Sequence, residues 1–241
     1  MNLVLTIAGF DPSGKAGILR DVSIISALGA SAQAVPTALT IQDSSQGYGF
    51  DAITPELFER MLSILIAQRK PDAVKIGMVP NIALAECIAH YIAPLRIPIV
   101  YDTVFSTTDG CTLVEKNMEF EIFRIVSAIS TVITPNIPEA SLLSGIAHKT
   151  DDFEQKVFAI FSKFGVNAML LKGGHSQKND VCDSLFTKGK EICIYTRPRL
   201  NHEIRGTGCA LSSALATFLA MEKSLPQAFY DTEKTIDKLL R

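Results

Sequence analysis

Short apolar segments alternate with amphipathic segments along the whole chain. The apolar segments contain few polar residues, which is typical of strands buried on both faces of a parallel sheet. The segments between them repeat apolar residues at helical spacing. The pattern predicts strands at residues 3–8, 32–39, 73–76, 97–101, 130–133, 168–171, 181–186 and 191–195. It predicts helices at residues 16–28, 55–68, 82–92, 116–125, 138–143, 152–164, 207–221 and 226–240.

This alternation predicts an α/β fold in which helices cover both faces of a mostly parallel central sheet. The last two strands are separated only by residues 187–190, which indicates a hairpin added to the parallel sheet. No repeat, low-complexity tract or linker interrupts the pattern, so a single domain over residues 1–241 is predicted. Ligands of open α/β sheets bind beyond the carboxyl ends of the strands. Polar and glycine-rich segments that follow strands are therefore the candidate sites.

The charge of the chain does not indicate a nucleic-acid or membrane partner, because 23 basic residues oppose 25 acidic residues. No apolar run reaches the roughly 18 residues that cross a bilayer. The first run, residues 3–10, is short and has no basic segment before it, so no secretory signal is expected. The five cysteines contain no C-x-x-C pair, and an odd number does not suit a disulfide framework. A reduced, cytoplasmic protein is therefore expected.

The segment after the first predicted strand is similar to a nucleotide-binding phosphate loop. Residues 9–15 read G-x-x-x-x-G-K, and Asp102 follows another strand as a candidate for the acidic motif of such proteins. The next residue, Ala16, has no hydroxyl for Mg²⁺. A phosphate-loop nucleoside triphosphatase and a simple Gly/Pro turn are two interpretations. A loop that closes over a small-molecule substrate is the third, and it is favoured.

A second glycine-rich segment directly precedes a predicted helix of small residues. Gly206 and Gly208 allow the backbone to turn its N–H groups toward one point. The helix start adds unpaired donors and the positive end of the helix dipole, and such a segment binds a phosphate or a transferring phosphoryl group. The alternative is a tight turn with Thr207 as the N-cap and Cys209 as a small buried residue. Spacing alone does not separate the two interpretations.

Several motifs occur together in a fixed order. The first is L-T-I-A-G-F-D-P-S-G at residues 5–14, with A-G-I at 16–18 and Asp21 after it. The others are T-A-L at 37–39 with Gln42, K-I-G-M at 75–78, D-T-V at 102–104, I-T-P-N-I-P-E-A at 133–140, L-K-G-G-H at 171–175, D-S-L-F at 183–186 and G-T-G-C at 206–209. This series resembles the hydroxymethylpyrimidine/phosphomethylpyrimidine kinases of the ribokinase-like superfamily. The resemblance implies a three-layer α/β/α sandwich.

The resemblance implies two successive phosphorylations in thiamine biosynthesis that depend on ATP and Mg²⁺. The first acts on 4-amino-5-hydroxymethyl-2-methylpyrimidine and the second on its monophosphate. Asp21 and Gln42 match the family's pyrimidine-binding acid and amide, which suit the amino group and nitrogens of the ring. A solvated helix residue and a strand-end residue are the alternative interpretations of these two. The same resemblance places Gly9, Met78 and Val104 at the substrate.

The resemblance assigns Gly206, Thr207 and Gly208 to the transferring phosphoryl group, which their N–H groups would bind. Cys209 lies where many sugar kinases of the superfamily carry an aspartate base. A free thiol has a pKa near ~8.5, and a helix N-terminus lowers it, so a thiolate base is expected. That Cys209 is the sole base is a hypothesis, because phosphoryl transfer depends mainly on positioning and charge neutralisation.

The resemblance also places Asn136, Lys172 and Gly174 at ATP, and Glu139 and Asp102 at Mg²⁺. A carboxylate acting through water suffices, because Mg²⁺ keeps several water ligands. Lys172 would bind phosphate as a point charge, or be a solvated strand-end lysine. Asn136 also suits the cap of a helix start, and this interpretation is compatible with the first. A homodimer is expected by analogy with the family.

Four residues depart from the family motifs and leave the acceptor open. Lys15 replaces a usual glycine, Ser45 and Gln46 change the segment after Gln42, and Thr108 replaces a frequent lysine. Two alternatives to a pyrimidine kinase therefore remain. One is a salvage kinase for pyridoxal or pyridoxine, and the other is a catalytically weak pyrimidine-binding sensor. The intact glycine-rich segment with its cysteine argues against the sensor.

Overall fold

The computed structural model describes residues 1–43, 46–107, 109–175, 180–188, 190–199 and 205–240. The strands are β1 (Leu3–Phe10), β2 (Ser31–Gln42), β3 (Gly47–Ala52), β4 (Ala73–Ile76), β5 (Ile99–Tyr101), β6 (Val132–Ile133), β7 (Ala168–Leu171), β8 (Asp180–Thr187) and β9 (Lys190–Pro198). The α-helices are α1 (Gly17–Ala27), α2 (Pro55–Gln68), α3 (Ile82–Ile92), α4 (Glu119–Ile129), α5 (Ile137–Ser144), α6 (Phe153–Ser162), α7 (Thr207–Ala220) and α8 (Leu225–Leu239). None of these helices is both long and apolar enough to span a membrane.

The nine strands found in the described residues form one sheet in the order β3-β2-β1-β4-β5-β6-β7-β8-β9. The six strands from β2 to β7 in this order pair in parallel. Strand β3 at one edge and strands β8 and β9 at the other pair antiparallel. The mostly parallel sheet and the late hairpin are therefore confirmed. Strand β4 is buried along its whole length, which explains why its residues are apolar except for Lys75.

Helices cover both faces of the sheet and form two separate cores. On one face, Leu5 of β1 shares a cluster with Phe58 of α2 and Phe123 of α4. On the other face, Val4 of β1 shares a cluster with Leu215 of α7. Val4 and Leu5 are adjacent in sequence, and their side chains enter opposite cores because successive strand residues alternate between faces. The predicted three-layer α/β/α sandwich is confirmed.

The structure contains one strand that the pattern does not predict. Residues 47–52 read G-Y-G-F-D-A, and two glycines give this segment a low intrinsic preference for a strand. It forms β3 by pairing with β2, which continues to Gln42, beyond its predicted end. Helix α4 begins at Glu119, later than predicted, because Asn117 adopts a left-handed conformation with φ of 63°.

The parallel strands bring distant polar residues to one edge of the sheet. Asp11 follows β1, Asp102 follows β5 and Lys172 follows β7. An isolated parallel bridge between Asn136 and Lys172 continues the sheet beyond β6 and β7. Residues that are far apart in sequence therefore meet at the carboxyl ends of the strands, where ligands of such sheets bind.

We expect Phe123→Ala to lower the free energy of unfolding by about 4 kcal/mol, because it leaves a cavity in a dry core. The Phe123 ring is fully buried, and its centroid lies 4.7 Å from that of Phe161. Urea unfolding followed by circular dichroism measures the change. Phe120→Ala on the same helix is the control. Phe120 is 44% exposed, so a loss of about 1 kcal/mol is expected. Equal losses in the two variants would contradict this account.

Candidate active site

A cavity of about 580 Å³ opens at the carboxyl ends of the parallel strands. Its lining includes Gly9, Gln42, Met78, Asp102, Val104, Asn136, Glu139, Lys172, Gly174, Gly206, Thr207, Gly208 and Cys209. Every site residue that the sequence predicts is in this set except Asp21. The fold therefore brings the candidate residues of seven separate motifs to a single cavity.

The loop after β1 is already filled by a carboxylate. Asp11 is buried, and its oxygens accept hydrogen bonds from the N–H groups of Ser13 and Ala16, both at 2.8 Å. The Ser13 hydroxyl also donates to Asp11, at 2.9 Å. In a phosphate loop the backbone N–H groups surround the nucleotide phosphates. Here Asp11 takes that position and Lys15 is exposed, so the phosphate-loop interpretation is wrong.

Helix α7 begins at the cavity wall without a side-chain cap. Its N-cap is Gly206, which has a φ of 79°. A Cβ at Gly206 would lie only 1.9 Å from the carbonyl oxygen of Lys15, so only glycine allows the loop after β1 to pack here. The start of a helix carries unpaired N–H donors and the positive end of its dipole. The structure thus places an anion-binding helix start in the cavity.

Lys172 lies beside this helix start. A Cβ built on Gly208 would be 3.4 Å from the Lys172 Nζ, and the same Nζ pairs with an Asp102 oxygen at 2.8 Å. Burial alone would lower the pKa of Lys172. The negative charges of Asp102 and Glu139 outweigh this effect and raise the pKa. The side chain is therefore an ammonium at neutral pH. Together with α7, it forms a site for an anion.

Asp102 is a fully buried carboxylate with several partners. Its oxygens accept hydrogen bonds from the hydroxyls of Thr134 at 3.0 Å and Ser212 at 3.2 Å, in addition to Lys172. Burial alone would raise the pKa of Asp102. The ammonium groups of Lys172 and Lys75 overcome this effect and hold the pKa below its usual value. Asp102 therefore stays ionised against the desolvation penalty.

Glu139 both caps a helix and lines the cavity. Its N–H donates to the Asn136 side chain at 2.8 Å, and the Asn136 N–H donates to the Glu139 carboxylate at 2.8 Å. This reciprocal capping box confirms the predicted helix start. Burial raises the pKa of Glu139 to about 7, with Lys172 opposing the effect and Asp102 reinforcing it. Glu139 therefore changes protonation state near neutral pH.

Asp102 and Glu139 are the carboxylates available for Mg²⁺ in this part of the cavity. Among the described residues there is no cluster of three or more His, Cys, Asp or Glu that would hold a metal ion by itself. Mg²⁺ commonly uses one or two protein carboxylates and keeps water and phosphate oxygens as its other ligands. The donor set therefore fits an ion that arrives with a nucleotide.

Gly9 and Met78 also line the cavity. A Cβ on Gly9 would lie 2.7 Å from the Met78 sulfur, so the absence of a side chain at Gly9 lets Met78 pack against the end of β1. The Gln42 oxygen accepts a hydrogen bond from Arg205 at 3.1 Å. Arg205 also pairs with Asp109 at 3.6 Å. The sequence does not single out Arg205, which connects Gln42 and Asp43 at the end of β2 to the glycine-rich start of α7.

Two of the four departures from the family motifs, Ser45 and Thr108, lie outside the described residues. Gln46 belongs to the turn between β2 and β3. Its N–H donates to Asp43 at 2.9 Å and its side-chain amide donates to the Tyr48 hydroxyl at 2.7 Å. Gln46 therefore links Asp43 to Tyr48 of β3, and it is absent from the cavity lining.

Asp21 lies beneath the cavity, and this position corrects its predicted contact with the pyrimidine. It is fully buried and pairs with Lys75 at 2.8 Å. It also accepts hydrogen bonds from the hydroxyls of Thr6 at 2.6 Å and Ser213 at 2.9 Å. Helix α1 turns this carboxylate toward the sheet. The signal that sequence reasoning missed is Lys75, a lysine in an otherwise apolar strand.

Cys209 lies in the first turn of α7 and lines the cavity. Burial raises the pKa of its thiol to about 11, while Lys75 and the Gly17 N–H act in the opposite direction. Asp21 and Asp102 reinforce the rise. The expectation that the helix start lowers this pKa is therefore wrong, because desolvation outweighs it.

This sandwich, with a helix start and a paired lysine at the carboxyl edge of its sheet, defines a small-molecule kinase of the ribokinase-like type. The family described as phosphomethylpyrimidine kinase matches residues 11–241. The chain therefore belongs to the phosphomethylpyrimidine kinase family, as the sequence motifs predict.

Curated relatives agree with this assignment. The hydroxymethylpyrimidine/phosphomethylpyrimidine kinase of Aquifex aeolicus is 33% identical over 246 residues, which cover 99% of this chain and 94% of that protein. A probable thiamine biosynthetic bifunctional enzyme of Oryza sativa subsp. japonica is 31% identical over 242 residues. That alignment covers 98% of this chain and 44% of the relative. The chain thus spans about half the length of such bifunctional relatives.

Solved structures share the fold. The phosphomethylpyrimidine kinase of Clostridium difficile 630 has a TM-score of 0.87 and 27% identity, with 100% of both chains covered. The pyridoxal kinase of Bacillus subtilis, solved as an ADP complex, also has a TM-score of 0.87, with 25% identity. It covers 97% of this chain and 90% of its own. The two likenesses confirm the ribokinase-like architecture.

We expect Glu139→Gln to become more stable relative to the natural protein as pH rises. Burial raises the pKa of Glu139 from the ordinary 4.5 to about 7. The protonated side chain therefore contributes its full stability below pH 4.5, and this contribution is lost as pH rises through 7. The difference in free energy of unfolding between the variant and the natural protein should grow by about 3 kcal/mol between pH 4.5 and 7 and stay constant above that range. Glutamine preserves the capping box. Urea unfolding without ligands at pH 4.5, 6, 7 and 8 measures it, and a pH-independent difference would contradict the assignment.

Proposed function

We propose that this chain transfers the γ-phosphoryl group of ATP in two steps of thiamine biosynthesis. The first acceptor is the hydroxymethyl group of 4-amino-5-hydroxymethyl-2-methylpyrimidine, and the second is the resulting monophosphate. One observation carries the proposal. The Lys172 ammonium lies beside Gly208 at the start of α7, in the same cavity as the Gly9 and Met78 surface. An anion site and a site for a flat ring are thus joined in one cavity.

The acceptor is proposed to bind at Gly9, Met78, Val104 and Gln42. Gly9 and the apolar Met78 and Val104 suit the faces of a flat heteroaromatic ring. The Gln42 oxygen is taken by Arg205, which leaves the amide N–H donors for ring nitrogens. Because Asp21 lies beneath the cavity, Gln42 is the polar side chain assigned to recognition of the ring.

The transferring phosphoryl group is proposed to bind at the backbone N–H groups of Gly206, Thr207 and Gly208. In phosphoryl transfer, negative charge spreads over the equatorial oxygens, and catalysis depends on positioning and charge stabilisation. The start of α7 and the Lys172 ammonium, held by Asp102, offer fixed donors and a positive charge at that point. Fixed donors of this kind need no reorganisation during the reaction.

Cys209 is proposed to receive the acceptor hydroxyl at the first turn of α7. With a pKa of about 11, the side chain is a thiol in the free protein at neutral pH. Its main contribution is therefore to orient the hydroxyl by a hydrogen bond, which a loose transition state permits. If Cys209→Ala kept full turnover at saturating substrate, this role would be excluded.

Asn136, Lys172 and Gly174 are proposed to bind the phosphates of ATP, and Glu139 and Asp102 to hold Mg²⁺ through water or directly. When bound, the ion would neutralise charge on the phosphate oxygens. Asn136 and Lys172 are fixed relative to each other by their backbone bridge. The protein therefore supplies a preformed edge along which the nucleotide phosphates align.

A pyridoxal kinase is the second candidate, because the Bacillus subtilis pyridoxal kinase matches this fold as closely as the phosphomethylpyrimidine kinase structure does. Its substrate class is also a hydroxymethyl heteroaromatic. We further propose a cytoplasmic homodimer. All five cysteines are free, which suits a reducing compartment, and the dimer is carried over from the family resemblance. Sedimentation velocity measures the oligomeric state.

An ADP-coupled assay with each acceptor tests the activity. With Mg·ATP and the hydroxymethylpyrimidine, mass analysis is expected to show the monophosphate and then the pyrophosphate. Pyridoxal assayed in parallel should give a much lower kcat/KM. The reverse preference would assign the salvage activity. Tight pyrimidine binding by calorimetry without any ADP would identify a sensor and overturn the proposal.

We expect Lys172→Met to lower kcat/KM by roughly 10²–10³-fold, because the variant loses a fixed positive charge at the transferring group. Lys163→Met is the matched control, since Lys163 is exposed at the end of α6 and absent from the cavity lining. The control should stay within about twofold, as expected of a surface substitution. Circular dichroism verifies that both variants fold. Equal activity in the two variants would contradict the phosphate role of Lys172.

A further inference from the structure

Lys75 is a buried ammonium in the cavity lining to which the proposed mechanism gives no role. It lies on β4, is fully buried and lines the cavity. Among the described residues, its Nζ has one hydrogen-bond partner, Asp21, at 2.8 Å. An ammonium carries three donors, so two are left. A Cβ on Gly77 would lie 2.7 Å from the Nζ, so the chain keeps this position free of a side chain.

Two helices bring the pair beside Cys209. On α7, the Ser213 hydroxyl donates to Asp21 at 2.9 Å, and Cys209 lies one turn before Ser213 on the same helix face. On α1, the Gly17 N–H lowers the pKa of the Cys209 thiol, and Asp21 lies one turn after Gly17. Both helices therefore place the Lys75–Asp21 pair and the sulfur on the same side.

Fold stability is a weak explanation for this pair. Two charges that leave water pay a large desolvation penalty, and apolar residues of the same volume are often equally good. The neighbouring positions of β4 are apolar and buried, so an apolar residue would suit position 75 as a core residue. A charged pair at this point of the cavity is better explained by an electrostatic role in the site.

We infer that Lys75, held in place by Asp21, acts through Cys209: its positive charge makes the thiol a stronger hydrogen-bond donor to the acceptor hydroxyl and stabilises the sulfur when it ionises. The inference rests on the proposed placement of Cys209 at the acceptor hydroxyl. Lys75 is thus a positioning residue for the acceptor end of the cavity, as Lys172 is for the phosphate end.

The charges around Cys209 act in opposite directions, which makes the inference testable. Lys75 faces the thiol from β4, Asp21 faces it from α1, and Asp102 lies at the end of β5. Lys172, after β7, also interacts with the thiol. Burial raises the pKa of Cys209, Lys75 is the largest opposing influence, and the two carboxylates reinforce the rise. Removal of Lys75 should therefore raise the pKa of the Cys209 thiol, and removal of the Asp21 charge should lower it.

The test is the rate at which iodoacetamide alkylates Cys209 in the folded protein between pH 6.5 and 9.5. Peptide-resolved mass spectrometry separates this site from the other four cysteines. We expect Lys75→Met to slow alkylation about tenfold, as a rise of one pKa unit would. Asp21→Asn should speed it about threefold, because asparagine keeps an oxygen for Lys75 and removes the repulsive charge. The exposed Lys163→Met is the control and should match the natural protein.

A merely structural role would loosen the cavity and speed alkylation in both variants, and that result would overturn the inference. Unchanged rates in both variants would overturn it as well. If Lys75→Met does not fold, Lys75→Gln replaces it, and a slower rate in that variant supports the inference, whereas an unchanged or faster rate overturns it. Alkylation needs neither ATP nor an acceptor. Failure of the kinase assay would thus remove the proposed function and leave this charge coupling measured.

Discussion

The site depends on two buried lysine–carboxylate pairs under the first turns of helix α7. Lys172 pairs with Asp102 at the end of the sheet, and Lys75 pairs with Asp21 beneath it. Removal of one partner from a buried pair leaves an uncompensated charge, which typically costs about 3–5 kcal/mol. The strands that carry the lysines and the helix that rests on the carboxylates are consequently fixed relative to one another. The geometry of the anion site follows from this constraint.

Close backbone packing is the second condition for the site. Gly206 touches the loop after β1, and a Cβ on Gly17 would lie 2.2 Å from the Gly9 carbonyl oxygen. Gly17 also has a φ of 57°, which favours glycine. The two helix starts can therefore approach the end of β1 without side chains between them. These glycines leave no side chain between the packed segments, so the proposed acceptor residues at Gly9 and the proposed phosphate site at Gly206 belong to one cavity.

The sequence predicts the architecture well, because the apolar strands are local signals of a buried parallel sheet. Almost all of the site residues that it predicts line the cavity, because the motifs follow strands whose carboxyl ends meet. Strand β3 escapes prediction since its stability comes from pairing with β2. The position of Asp21 and the raised pKa of Cys209 are not predicted from the sequence for the same reason. Both depend on neighbours that are distant in sequence, Lys75 and Ser213 for Asp21, and the burial produced by the whole fold for Cys209.

The carboxylate of Asp11 has a consequence for how this site can change over evolution. The loop after β1 contains its own hydrogen-bond acceptor, the Asp11 side chain, so its shape does not depend on a bound nucleotide or on the side chain at position 15. Exposed positions such as Lys15 are then free to drift, even into a pattern that imitates an unrelated nucleotide-binding loop. A substitution of Asp11 would instead be poorly tolerated, because two backbone N–H groups would lose their acceptor at once. A position that tolerates substitution, Lys15, and a position that does not, Asp11, thus lie four residues apart in the same turn.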